Sequence, residues 1–416
     1  MRTGKDVWTV RRNTAGGWLI NQQINVFKIA FLFVHEQAHQ IPHAAPILDR
    51  LCQLAPENEF FAFVSSATNA ETLKRLLSPE TRSRVSINIV SSPKWASFLE
   101  AVTGGAAPLR RIGMLSRLSD QLADMDMIVT PETTSIMLKT KFGITKPKLV
   151  FTQHGAGDRA VGFKPKIALF DHVLIPGEKI QTRMRAQGIV TETGHSVVGY
   201  PKFECFQNKS STNARLFPNA NPIIVYNPHF DPHLSSWYRH GEEVLEIFAK
   251  QDAYNLIFAP HVMVFSRTFH ITSDLKHVRW RGRIGQYFKD CPNIHIDTGS
   301  DASIDMSYTR AADVYLGDAS SQVYEFIQTP RPCIFLNSNA HAWQNNSDFA
   351  HWTLGPVIRQ PGEIIPLLDQ RETAFETYKP VQAAAFEKTF GEDAINGATR
   401  AAKALLGVLS DHATPS

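Results

Sequence analysis

Short apolar runs recur along the chain and alternate with stretches of helical periodicity. "NVFKIAFLFV" (25–34) precedes a helical pattern near 43–54, and "EFFAFVSS" (59–66) precedes "NAETLKRLL". "SRVSINIV" (83–90), "MDMIVT" (125–130), "KLVFTQ" (148–153) and "HVLIPG" (172–177) continue the series. Strands that are apolar almost throughout, with helices between them, predict a mostly parallel sheet covered on both faces.

The rhythm then breaks. "NKSSTNARLFPNANP" (208–222) is polar and aperiodic and reads as a linker. A second series follows: "IIVYNP" (223–228), "YNLIFAPH" (254–261), "NIHID" (293–297), "DVYLGD" (313–318) and "PCIFLN" (332–337). Helical patterns lie between them at 241–251 and 320–328, and an alanine-rich stretch over 381–408 predicts a final helix. The fold class is therefore α/β, with two Rossmann-like domains facing each other across a central cleft. The first, over 25–207, is expected to take an acceptor. The second, over 223–380, is expected to take a nucleotide donor. Residues 1–24 read as a loose leader, and 381–416 as a C-terminal helix and tail. Ligands of such sheets sit at the carboxyl ends of the strands.

Composition narrows the function classes. The 416 residues are 43% hydrophobic and 20% charged, an ordinary soluble balance, and the formal charge of +4 is too small for a dedicated nucleic-acid binder. Cys52, Cys205, Cys291 and Cys333 form no C-x-x-C pair, so a reducing compartment is expected, without a disulfide framework or a zinc ribbon. No apolar run approaches the roughly 20 residues needed to span a bilayer. Arg2, Lys5, Arg11 and Arg12 precede no signal-peptide core. The expected location is cytoplasmic, with peripheral contact at the inner face of the membrane left open.

Unusual residues gather at the strand ends. In "DVYLGDASSQVYEF" (313–326) a strand runs into a turn and then a helix start. Ser320 and Ser321, with Asp318, are expected to hold phosphate there, since free N–H groups at such a start attract anions. Glu325, one turn on, is placed to reach a sugar hydroxyl. The plainer reading makes Ser320 an N-cap. In "IFAPHVMVFSR" (257–267), His261 and Arg267 are expected to grip a diphosphate by charge-assisted hydrogen bonds. "YNPHFDPHLSSWY" (226–238) is expected to line the cleft with His229 and Asp231 and to stack a base on Trp237 and Tyr238. His229 and His233 are four apart, but Pro228 and Pro232 argue against one helix carrying both.

"VHEQAHQIPH" carries His35, His39 and His43, and its start fits H-E-x-x-H with Glu36 as the would-be base. His35 directly follows a strand, whereas that motif needs an established helix, so a zinc hydrolase is not expected. No metal or cofactor is predicted. In "FTQHGAGDR" (151–159), His154 ends a strand and is placed to take a proton from an acceptor hydroxyl. Gly155 and Gly157 would let substrate come close. Gly199, in the turn Gly199-Tyr200-Pro201, closes the first domain as a structural or cleft-lining residue.

The order of these parts ("QHG", "GYPK", "APH", "ADVYLGDASSQVYEF", "RPCIFL") resembles the CDP-glycerol:poly(glycerophosphate) glycerophosphotransferases of teichoic-acid type. Those enzymes have a two-Rossmann GT-B fold, a "WHG" strand end, a "G-x-P-R" turn and a "TDYSS" helix start. The resemblance covers residues 145–340, about half the chain. "GDASS" keeps the Asp and the serine pair, whereas "QHGAGDR" departs from an "HGTPLK"-like continuation. The resemblance implies transfer of a polyol phosphate from a CDP-linked donor to a hydroxyl of a glycan or cell-surface polymer precursor. It casts His154 as the base, His261 as the donor-phosphate histidine, and Ser320 and Ser321 as the phosphate-binding pair. A nucleotide-sugar (UDP-sugar) glycosyltransferase and a UDP-N-acetylglucosamine 2-epimerase-like enzyme share the architecture and are the alternatives. A non-catalytic nucleotide-sugar-binding or assembly subunit is the alternative of another class.

Overall fold

A computed structural model describes residues 6–12, 18–102, 108–206, 216–272 and 278–413. Among these residues, seven parallel strands form the first sheet, in the order Val85–Ile89, Glu59–Val64, Lys28–Phe33, Met127–Thr130, Lys148–Thr152, His172–Ile175, His195–Val197. The second sheet has six, all parallel: Ile294–Ile296, Asn255–Phe258, Ile223–Asn227, Val314–Gly317, Cys333–Leu336, Val357–Ile358.

The central strand of each sheet shows why its run is apolar at every position. Successive side chains on a strand point to opposite faces. Ile29, Phe31 and Phe33 enter one core, while Ala30 and Leu32 enter another on the far side. In the second sheet Val225 packs on one face, and Ile224 and Tyr226 on the other. Each core strand is thus apolar on both sides, and the loops at its carboxyl end are left to carry the polar chemistry.

Two segments differ from the expected organisation. Where a loose leader is expected, Asp6–Arg12 and Trp18–Asn25 pair as an antiparallel hairpin. The alanine-rich stretch is two helices, Lys379–Phe390 and Gly397–Ala413, parted by Gly391 at φ 79°. The last helix leaves the second domain and packs on the first: Ala401, Ala402, Leu405 and Leu409 share a core with Ile29 and Phe31. It lies against the helix Ile41–Leu54, where small residues on both sides (Ala44 and Ala45 facing Ala401 and Ala402) permit close approach. Leader positions 1–5 and 13–17, linker positions 208–215 and tail positions 414–416 lie outside the described residues. Among the described residues, no helix is long and apolar enough to cross a membrane.

Candidate active site

The carboxyl ends of the two sheets face a cleft of about 560 Å³, and residues of both domains line it. Histidines dominate its walls, and their hydrogen bonds sort them into two kinds. His154 leaves the strand Lys148–Thr152 and sets its Nδ1 2.7 Å from the carbonyl oxygen of Pro131. A carbonyl only accepts, so Nδ1 carries the hydrogen and Nε2 keeps a free lone pair. Crowding by the cleft walls pushes its pKa below the ordinary histidine value, with Glu132 pulling the other way, although the ring itself stays open to the cleft.

His35, His229 and His261 are the reverse. Each Nδ1 accepts a backbone N–H from two residues on: Gln37 at 3.0 Å, Asp231 at 3.0 Å and Met263 at 3.2 Å. Their hydrogens therefore sit on Nε2. Burial, then Arg111, lowers His35 to about 4; burial, then Arg159, lowers His261 to about 3. Burial also drives His229 well down. All three are neutral N–H donors at physiological pH. Among these four histidines, backbone contacts leave His154 with its basic nitrogen toward the cleft and make the other three donors.

His39 and His43, weighed in the sequence only as zinc-motif histidines, belong to the same wall. The His39 ring lies 4.7 Å from that of His35, 6.4 Å from His154 and 5.9 Å from His261. His39 sits on the 3-10 turn Ala38–Gln40 and His43 on the helix Ile41–Leu54, while His35 precedes both. The helix that the zinc motif requires is therefore absent from its first histidine.

Ser320 and Ser321 both line the cleft. The helix behind them, Gln322–Phe326, is only five residues long, so its dipole adds little and the hydroxyls carry the polarity. Ser320 Oγ accepts from the N–H of Gln322 at 3.4 Å and also hydrogen-bonds the Tyr315 side chain. Gly155, at φ 122°, and Gly157 bring the histidine loop onto these serines. A Cβ at Gly155 would come within 3.3 Å of Ser321 Oγ, and one at Gly157 within 3.0 Å of Ser321 Cβ. The glycines admit the other domain's serine loop, where the sequence suggested substrate.

Several expected site residues are engaged elsewhere. Asp318 is buried behind the cleft and accepts from the His229 N–H at 2.8 Å, the Ser236 N–H at 2.6 Å and the Ser236 hydroxyl at 2.8 Å. It braces the loop that carries His229; a carboxylate so placed offers phosphate nothing. Glu325 reaches the cleft, but Lys202 Nζ occupies its two oxygens at 2.7 and 2.8 Å and the Tyr200 hydroxyl adds a bond at 2.9 Å. That pair fastens the two domains and leaves little capacity for a ribose. Trp237 is buried, with its indole N–H on the carbonyl of Arg281 at 2.5 Å and its ring stacked on Phe258 at 4.8 Å. Tyr238 donates to the Phe230 carbonyl at 2.8 Å. Neither faces the cleft, because the helix Trp237–Ala249 starts at Trp237 and turns both rings into its own domain.

Arg267 stands exposed at the rim, 3.9 Å from Glu100. Asp231 caps a turn by accepting the His233 N–H at 2.9 Å. Gly199, at φ 83°, lies away from the cleft against the Arg400 guanidinium, and Arg400 bonds the Val198 carbonyl at 2.9 Å to seat the C-terminal helix.

Asp158, in the middle of the histidine loop, carried no role in the sequence reading. Its carboxylate accepts from Lys179 Nζ at 2.9 Å, the Tyr324 hydroxyl at 2.7 Å, the His351 N–H at 2.9 Å and His351 Nδ1 at 3.0 Å. Burial opposes its ionisation, but Lys179 and then His351 outweigh it and hold the carboxyl well below the usual range. Tyr324 and His351 belong to the second domain, so Asp158 latches the histidine loop across the cleft. The one available signal was an acidic residue directly after a glycine loop.

No family profile and no curated protein matches the sequence. Solved structures do match. A histidine variant of the wall teichoic acid polymerase TagF soaked with CDPG superposes with a TM-score of 0.59 at 13% identity, over 93% of this chain and 90% of that one. The UDP-GlcNAc 2-epimerase from Neisseria meningitidis bound to UDP-GlcNAc gives 0.56 at 13% identity, over 92% and 100%. The glycotransferase of kitacinnamycin gives 0.56 at 12% identity, over 93% and 100%. At such identities the likeness is one of fold: two parallel α/β sheets in the GT-B-like arrangement that the run pattern and the resemblance predict.

Proposed function

We propose that this chain is a transferase that moves a polyol-phosphate group from a CDP-linked donor to a hydroxyl of a glycan or polymer precursor. The observation that carries this reading is the opposite protonation of His154 and His261 across one cleft. His154 Nε2 takes the proton of the acceptor hydroxyl; the freed oxygen bonds to the donor phosphorus in line, and the bond from phosphorus to the CMP oxygen breaks. His261 Nε2–H and the hydroxyls of Ser320 and Ser321 donate to the phosphoryl oxygens as charge spreads over them. The cytidine donor is supported by the resemblance of the "QHG" and "GDASS" segments and by the fold shared with TagF.

The test is incubation with CDP-glycerol and, separately, with UDP-sugars, scored by the nucleotide released and by melting temperature, since a ligand of the folded state raises the latter by mass action. Release of CMP with stabilisation by the cytidine series is expected. Release of a uridine nucleotide, or conversion of UDP-GlcNAc itself, would replace this reading with the second one, a nucleotide-sugar enzyme. That second reading draws on the match to the epimerase over its whole length.

The rate should also report on the base. Because the His154 pKa is lowered, its neutral form persists below the ordinary value of about 6.5. The acid limb of kcat/KM is therefore expected to fall below that pH. A limb centred above 7 would exclude His154 as the group being titrated.

A further inference from the structure

Arg159 ends the histidine loop and reaches into the cleft, only partly exposed. Its guanidinium makes no hydrogen bond or ion pair with any described residue. The three carboxylates that act on it, Asp231, Asp318 and Asp348, do so at a distance. Each is committed elsewhere: Asp231 to the His233 N–H, Asp318 to Ser236 and His229, Asp348 to Arg183. Burial lowers the Arg159 pKa, but a guanidinium stays protonated. A cation held in a half-dry cleft without a partner costs free energy unless an anion comes to it.

The surroundings suit that anion. Arg159, His229 and His261 line the same cleft, and the Arg159 charge acts on both histidines. Ser320 and Ser321 add hydroxyls on the same wall. The guanidinium comes from the first domain, and the histidines and serines come from the second. Asp158, the preceding residue, holds the loop against Tyr324 and His351 and so fixes where Arg159 stands.

We propose that Arg159 is the anion receptor that the first domain contributes to the diphosphate site, so that a nucleoside-diphosphate-linked ligand is gripped from both sides of the cleft. This rests on the nucleotide-donor reading for the identity of the ligand, but the anion site itself does not. Charged hydrogen bonds of this kind make a substitution visible as a change of about 10- to 100-fold in affinity.

The experiment is calorimetric titration of the intact chain with inorganic pyrophosphate, CDP and cytidine, on the wild type, Arg159→Ala and Arg159→Lys. Arg159→Ala is expected to weaken pyrophosphate and CDP alike by that factor and to leave cytidine unchanged. Arg159→Lys should recover part of the loss, since it keeps the charge and loses the two-pronged fork; it also serves if the alanine variant fails to fold. Equal pyrophosphate affinity in the wild type and both variants, or no pyrophosphate binding by the wild type, overturns the proposal. Arg159-dependent pyrophosphate binding without turnover of any cytidine or uridine donor would uphold it and sink the transferase reading instead.

Discussion

His154→Ala is expected to lower kcat by about 10²- to 10⁴-fold, the usual contribution of a positioned general base, with donor affinity held within a few-fold. The separation follows from the geometry. The Nδ1–H of His154 is spent on the Pro131 carbonyl, so in the proposed mechanism the ring offers an acceptor hydroxyl a lone pair and the donor phosphate no hydrogen. Removing the ring should therefore cost chemistry and spare binding. The variant should also lose the acid limb of the pH profile. A kcat within tenfold of wild type, in a protein whose melting temperature is unchanged, would end the assignment of His154 as base. A wild-type chain that binds nucleotide yet turns over no donor would favour a non-catalytic binding subunit.

Asp158→Ala is expected to destabilise the fold by about 3–5 kcal/mol, the range for breaking a buried charge pair from one side. The carboxylate is buried and takes four donor contacts. Without it, Lys179 loses its anionic partner and keeps the Ala156 carbonyl at 3.0 Å and the Tyr324 ring face at 3.5 Å, and Tyr324 loses its hydroxyl partner. The sign of its pH dependence is set by its lowered pKa. Its contribution is complete above the unfolded value of about 3.9 and is lost as pH falls below that value toward the folded one. The neutral histidines act earlier: their unfolded counterparts take protons from about pH 6.5 downward, while His35 and His261 resist to about 4 and about 3. Denaturant unfolding at pH 7.5 measures the first effect. A loss under about 1 kcal/mol would mean that the latch contributes nothing the surrounding packing does not already supply.

Both sheets could be read from the chain because their core strands are buried on two faces, which leaves long apolar runs that few other architectures could bury. His154 and His261 were legible for the complementary reason, as polar residues where those runs stop. What pairs with what was not legible. Lys202 and Glu325 are 123 positions apart, and neither segment carries a mark of the other. Trp237 and Tyr238 misled because the preceding prolines made the stretch look irregular, whereas the helix begins at Trp237 itself. The alanine-rich end predicted a helix, but alanine fits any closely packed surface and does not say which domain receives it. The tautomers of the histidines depended on backbone atoms two residues on or a strand away, which no residue pattern encodes.

The return of the C-terminal helix has a mechanical consequence. The chain leaves the first domain after Pro201–Phe206 and comes back at Ala394–Gly397, and these places touch: a Cβ at Gly397 would meet the Tyr200 backbone at 2.7 Å, and Glu204 accepts the Ala398 N–H at 3.0 Å. Two domains tied at one place can swivel in any sense, whereas a second tie packed against the first restrains torsion between them. The seam at Tyr200 and Gly397 thus helps hold the histidine loop in register with the serines it faces.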